Sequence, residues 1–140
     1  MDGTKTQPAQ RFGNLPVLPP AVRGKNMIGK TVKVVVDRPL GSYHPEHKDL
    51  CYPVNYGYIP GILAPDGEEQ DAYILGVDVP VTEFVGTVAA VVHRRDDVEE
   101  KWIVVPESVT FSLQEMEEAV RFQEQFFDSE IIFSCSVESL

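Results

Sequence analysis

The chain has 140 residues, 43% of them hydrophobic, with 22 acidic against 12 basic side chains and a formal net charge of −10. One domain of this size buries enough surface to fold without staples, and Cys51 and Cys135 are too few and too far apart for a disulfide framework, which suits a reducing compartment. No run reaches the apolar length of a membrane span, no signal-peptide layout opens the chain, and an acidic body repels nucleic acid and anionic membrane, so a soluble cytoplasmic protein is expected.

Residues 1–26 hold four of the eleven prolines and no periodicity, and read as a flexible Pro-rich leader. Four bases against one acid give them a charge of +3, so the rest carries −13 of the total −10. From Met27 onward, residues 27–140, the chain reads as a single folded domain. Thr31 to Asp37 is β-branched and bounded by Gly29 and Pro39, which predicts a strand. Leu40 to Asp49 is a loop. Within it, His44 and His47 stand three apart, but Pro45 lies between them and no further His or Cys follows at ligand spacing, which argues against zinc.

Tyr56–Leu63 and Asp71–Val77 predict a second and third strand, and Gly86–His93 a long apolar fourth. A charged connection leads to the fifth, Lys101–Val105, which Pro106 ends. One helix follows: Ser112 and Glu115 form a capping-box pattern ahead of Leu113, Met116, Val120, Gln123 and Phe127 at helical spacing. Ile131–Ser134 suggests a short edge strand. Five short strands and a late helix predict a mainly β fold with some α, a small OB-like five-stranded β-barrel carrying a C-terminal helix.

Two acidic clusters carry the chemical interest. Asp66, Glu68 and Asp71 stand at offsets of zero, two and five, around a turn that leads into a strand. Asp96, Asp97 and Glu99 precede Lys101. Hard oxygen ligands of this kind suit Mg²⁺ or Mn²⁺, and two such clusters brought together would suit phosphoryl chemistry. Either alone is more often a solvated loop. An EF-hand fails at its fifth, sixth and twelfth positions, which hold Gln70, Asp71 and Val77, and strands flank the loop.

Tyr52-Pro53-Val54-Asn55-Tyr56-Gly57-Tyr58-Ile59-Pro60 followed by Asp66-Gly67-Glu68-Glu69-Gln70-Asp71 resembles the signature region of the family I soluble inorganic pyrophosphatases. Lys101-Trp102-Ile103-Val104-Val105-Pro106 similarly resembles that family's later strand, and Phe122 to Phe127 its aromatic helix. The resemblance implies an OB-like barrel hydrolase that cleaves pyrophosphate to two phosphates with Mg²⁺, Mn²⁺ being the alternative. It implies Asp66, Asp71 and Glu99 as metal ligands, with Asp96 or Asp97 as a further one, and Glu68 as general base. Tyr56 and Lys101 match phosphate-holding residues; Arg38 and His44 are the nearest counterparts of further substrate cations.

The chain also departs from the family, with Glu at positions 68 and 99 where the family has Asp, and with no late Tyr-Lys pair. Expected partners are pyrophosphate or a related phosphoanhydride, with neither nucleic acid nor membrane; self-association stays open. The alternative to an enzyme is a catalytically impaired relative that binds a metal–phosphate ligand or a protein partner.

Overall fold

Side-chain alternation shapes the computed structural model, which describes residues 24–95 and 99–133. Six strands and one helix follow a 3₁₀ turn, Gly24–Met27. The strands are β1 (Thr31–Arg38), β2 (Asn55–Leu63), β3 (Glu69–Ile74), β4 (Glu83–Arg94), β5 (Glu100–Val105) and β6 (Ser129–Phe133); α1 (Leu113–Glu124) lies between β5 and β6. The hydrogen-bonded order is β1-β2-β3-β5-β4, and β4 pairs back onto β1 to close a five-stranded barrel. All pairings are antiparallel except β3 with β5. The expected OB-like barrel with a late helix is therefore present.

Two apolar layers use opposite faces of the same strands. Val32, Val34, Ile59, Ala72, Ile74, Val88, Val91, Trp102 and Val104 come from all five barrel strands and fill the interior. Tyr73, Leu75, Ile103 and Val105, at the alternate positions, face outward and meet Met116 and Val120 of α1. Strands buried on both faces read as continuous apolar runs rather than alternating ones, which is why 101–105 is buried throughout. β4 spans two neighbours on one edge: its first half pairs with β1 and its second half, from Ala90, with β6.

The bounds differ from expectation where local geometry intervenes. α1 carries the expected capping box, with Ser112 Oγ accepting from Glu115 N–H at 3.1 Å and Glu115 Oε1 accepting from Ser112 N–H at 2.8 Å. It stops at Glu124 rather than Phe127. β3 begins two residues earlier than expected and ends at Ile74, just before Gly76 turns the chain at φ +88°. Gly24 packs against Trp102 and Val91, so the packed body includes residues read as leader. Residues 1–23, and Cys135 with them, lie outside the described residues.

Two features of β1 and β2 prepare the site. The register steps from Val36↔Gly57 to Arg38↔Tyr56, leaving Asp37 as an extra residue in a β-bulge. Gly57 makes this close approach feasible, because a Cβ there would collide with the Val35 carbonyl oxygen. Asn55, fully buried, accepts from Leu40 N–H at 2.9 Å and Val81 N–H at 3.2 Å and donates to the Val79 carbonyl at 2.9 Å. It ties the start of β2 to the loops on either side.

Gly57→Ala is expected to cost more than the roughly 1–3 kcal/mol of ordinary overpacking, since the obstacle is backbone that cannot rotate away. Urea unfolding followed by tryptophan fluorescence checks this. A variant as stable as the wild type would contradict the close β1–β2 approach.

Candidate active site

A cavity of about 330 Å³ opens where the bulged end of β1, β2, the start of β3, the far end of β4, the start of β5 and the C-terminal end of α1 converge. Asp37 and Arg38 both line it. Adjacent residues of a regular strand point to opposite faces; the bulge allows both to turn to the same side. Tyr56, Asp71, Lys101 and Arg94 complete the inner wall, and His44, His47, Phe126 and Phe127 stand at its rim.

The side chains around this cavity form one continuous chain of hydrogen bonds. Arg38 donates to the Tyr52 hydroxyl at 2.7 Å, and that hydroxyl donates to Gln123 Oε1 at 3.0 Å. Gln123 Nε2 donates to the Tyr73 hydroxyl at 2.8 Å, which donates to Glu124 Oε2 at 2.6 Å. Arg94 grips Glu124 with two nitrogens, at 3.1 and 2.8 Å, and donates a third bond to Glu99 Oε1 at 3.1 Å. Glu99 Oε2 and Asp71 Oδ2 both accept from Lys101 Nζ, at 2.5 and 2.6 Å. Nine residues from five elements and two loops are thus joined from Arg38 to Asp71.

Electrostatics follow from this wiring. Glu124 is 6% exposed, and burial alone would raise its pKa. Hydrogen bonds from Arg94, Ser129 and Tyr73 outweigh burial and hold its carboxyl below the usual range. Lys101 is 5% exposed; burial works against its charge, but the Tyr56 hydroxyl and the Asp71 and Glu99 carboxylates more than offset it, holding its pKa well above normal. Burial pushes the Tyr56 hydroxyl above its ordinary range against the pull of Lys101. Asp37 is raised, chiefly by burial, with Arg38 opposing and Asp71 adding to the rise. The Arg94 guanidinium lies 3.6 Å from the centre of the Phe127 ring, a stacking that suits its planar charge.

Of the residues singled out in the sequence, Arg38, His44, Tyr56, Asp71 and Lys101 line the cavity, and Glu99 is joined to Lys101. The Tyr56 ring centre is 5.7 Å from both the Arg38 guanidinium and the Lys101 ammonium. His44 stacks 6.3 Å from the Tyr52 ring and 4.8 Å from the His47 ring, and accepts from the Glu46 N–H at 3.0 Å. Asp66 and Glu68 do not reach the cavity wall. They sit in the β2–β3 turn, where Asp66 Oδ1 accepts from the Glu68 N–H at 3.0 Å. Asp96 and Asp97 lie outside the described residues.

The donor set bears on the expected metal. Among the described residues no three His, Cys, Asp or Glu side chains converge on a point where a metal ion could be held. Asp71 and Glu99 do face one another, but the Lys101 ammonium fills the space between them. As placed, these residues do not fit a divalent cation.

Residues without an assigned role in the sequence carry much of the hydrogen-bonded network: Arg94 and Gln123 line the cavity, and Tyr52, Tyr73 and Glu124 are bonded behind them. A signal existed for Glu124: it continues the buried 116–120 stripe of α1 by one further turn, and a carboxylate on a core stripe demands a buried partner.

Comparison with known proteins places this architecture. No family model matches the chain. Over 51 residues it is 37% identical to the inorganic pyrophosphatase of Caulobacter vibrioides, a stretch covering 34% of this chain and 29% of that protein. The crystal structure of an inorganic pyrophosphatase from Neisseria gonorrhoeae superposes with a TM-score of 0.58 and 18% identity, over 81% of this chain and 86% of that one. The inorganic pyrophosphatase from Ehrlichia chaffeensis gives 0.56 and 18%, over 78% and 88%. At such identities the shared feature is the fold. In fold and in this local sequence the chain is pyrophosphatase-like.

Removing one member of a buried pair leaves a buried charge uncompensated, so Glu124→Ala is expected to cost about 3–5 kcal/mol at neutral pH. Because Glu124 has a depressed pKa in the folded state, its contribution is present above the unfolded carboxylate pKa and is lost as pH falls through the lower folded value. Urea midpoints measured stepwise into acid should fall more steeply for the wild type than for Glu124→Gln. Parallel slopes would contradict the pairing.

Proposed function

We propose that the protein hydrolyses inorganic pyrophosphate, or a closely related phosphoanhydride, in the cavity bounded by Arg38, Tyr56, Asp71 and Lys101. The observation that carries this reading is the convergence of three cations, Arg38, Arg94 and Lys101, on one concave wall of a barrel whose net charge is strongly negative. Three of the chain's twelve basic residues on one concave wall offer an entering anion positive partners against an otherwise acidic surface. The shared fold and the local likeness to a pyrophosphatase narrow the anion to a phosphate compound.

Cleaving a phosphoanhydride needs placement of the phosphates, cancellation of charge on the leaving oxygen, and a group to take a proton from water. Lys101 and Arg38 are held by partners, so little reorganisation is needed when phosphate arrives. The Tyr56 hydroxyl stays protonated and can donate to a phosphate oxygen. Asp37 and Asp71 are the described carboxylates on the wall and so are placed to accept a proton there. Glu68, which the resemblance implies as the base, is not on the wall. Dependence on Mg²⁺, with Mn²⁺ as the alternative, belongs to this proposal and is carried by the resemblance. So do a cytoplasmic location, which rests on the sparse cysteines, and the lack of a nucleic-acid partner, which rests on the acidic charge; no helix among the described residues is long and apolar enough to cross a membrane.

The position of Asp66 and Glu68 favours one second reading, a relative that binds a phosphate ligand without turning it over. Calorimetry that shows Mg²⁺-dependent pyrophosphate binding with no phosphate release would select it.

Purified protein with excess Mg²⁺ or Mn²⁺ is expected to release phosphate from pyrophosphate, and to stop when a chelator removes the metal. Asp71→Asn should abolish release, and Lys101→Met should slow it by about 10²–10³-fold, as expected for loss of one fixed charge partner of the developing oxyanion. No turnover of pyrophosphate or nucleotides under any metal would end the enzyme reading.

A further inference from the structure

The mouth of the cavity is chemically unlike its wall. Arg38, Arg94 and Lys101 supply charge within, whereas the rings of His44, His47, Phe126 and Phe127 stand at the rim. The two histidines come from the loop after β1, with ring centres 4.8 Å apart. The two phenylalanines come from the turn that follows α1. Pyrophosphate has no apolar surface, so it can use the wall but leaves the rim without a partner. The volume of about 330 Å³ falls within the roughly 300–1,000 Å³ of sites for drug-sized ligands, which combine aromatic lining with a few placed polar groups. Pyrophosphate is far smaller than such a ligand.

The two phenylalanines are not equivalent. The Arg94 guanidinium covers the Phe127 ring at 3.6 Å, so that face is taken. Among the described residues, no ring or cation stacks on Phe126, and at 69% exposure it is the most exposed large hydrophobic side chain. Its backbone is nonetheless fixed. Phe126 N–H donates to the Gln123 carbonyl at 3.3 Å, and Phe127 N–H to the Glu124 carbonyl at 3.0 Å. Through their side chains, Gln123 and Glu124 belong to the hydrogen-bonded network around the cavity. A single exposed apolar residue is ordinary. This one is held at the mouth of a charged cavity by the residues that build its wall.

We propose that the cavity takes a nucleoside diphosphate, with the phosphates on Arg38 and Lys101 and the base stacked on the free face of Phe126. A phosphoanhydride that carries an aromatic base at one end uses both the wall and the rim. Every base has a π-face, and stacking on an aromatic side chain is therefore tolerant of base identity. The ring selects nucleotides as a class and not one base among them. This deepens the reading of the cavity as a phosphate site and rests on it, but it does not rest on turnover.

The test compares two uncleavable ligands by calorimetry at fixed pH, ionic strength and Mg²⁺: methylenediphosphonate and the α,β-methylene analogue of ADP. They share the bridged diphosphate and differ by the nucleoside. The wild type is expected to bind the nucleotide about 5–150-fold more tightly, the contribution of one stacked base. Phe126→Ala should lose about that factor for the nucleotide and far less for the diphosphonate. Phe126→Trp supplies another flat ring and should keep the preference. Its emission should change with the nucleotide and not with the diphosphonate; the one native tryptophan, Trp102, is buried in the barrel. Equal wild-type affinities, an unchanged preference in Phe126→Ala, or a preference lost equally in Phe126→Trp overturns the proposal. In each case a diphosphonate that still binds leaves the phosphate site standing. Binding of neither ligand removes both readings.

Discussion

The bidentate pairing of Arg94 with Glu124 is the interaction on which the rest of the site depends. It joins the last residue of β4 to the last residue of α1, two elements that otherwise meet only through apolar contacts. Buried ion pairs often contribute little net stability, because desolvation offsets their attraction. This one is saturated: Glu124 accepts from Arg94, Tyr73 and Ser129, and Arg94 spends its remaining reach on Glu99. With four bonds accepted by Glu124 and three donated by Arg94, the pair is held to one geometry, and that geometry fixes where Arg94 stands on the cavity wall. The helix cannot shift by a turn without stranding both charges.

From this anchor the fold and the chemistry separate cleanly. The barrel interior needs only volume and alternation, and it is filled by Val, Ile, Ala and a single Trp. The outer layer under α1 carries three tyrosines, Tyr52, Tyr56 and Tyr73, with ring centres 5.1–5.5 Å apart in sequence-neighbouring pairs. Aromatic rings supply apolar area while their hydroxyls reach a polar edge. That edge is the cavity. The tyrosines thus belong to the core and to the site at once, and the site is as rigid as the core beneath it.

This division explains what could be read from the sequence. The β-branched run at 31–37 and the capping box at Ser112 are local patterns, and both became the expected elements. Tyr56, Asp71, Lys101, Arg38 and His44 came from one motif and its surroundings and do line one cavity. The hydrogen-bond chain was not legible, since Tyr52 meets Gln123 across 71 residues and Tyr73 meets Glu124 across 51. No periodicity encodes such pairings. Asp66 and Glu68 lie off the cavity wall for the opposite reason. Their closeness to Asp71 in sequence suggests a shared site, but a short acidic side chain in a turn satisfies its own backbone first, and Gly67 at φ +89° points the chain away before β3 begins.

The direction of the hydrogen bonds from Arg38 to Glu124 has a further consequence. An arginine only donates, and an ionised glutamate only accepts. Between these fixed ends the Tyr52 hydroxyl, the Gln123 amide and the Tyr73 hydroxyl each have one orientation that satisfies both neighbours, and all of them point the same way. The chain is therefore polarised, a row of aligned dipoles with its sense set by the charges at its termini. Exchanging either terminal charge for a neutral group would not merely weaken one bond; it would let the whole row turn round, reversing which neighbour each hydroxyl donates to.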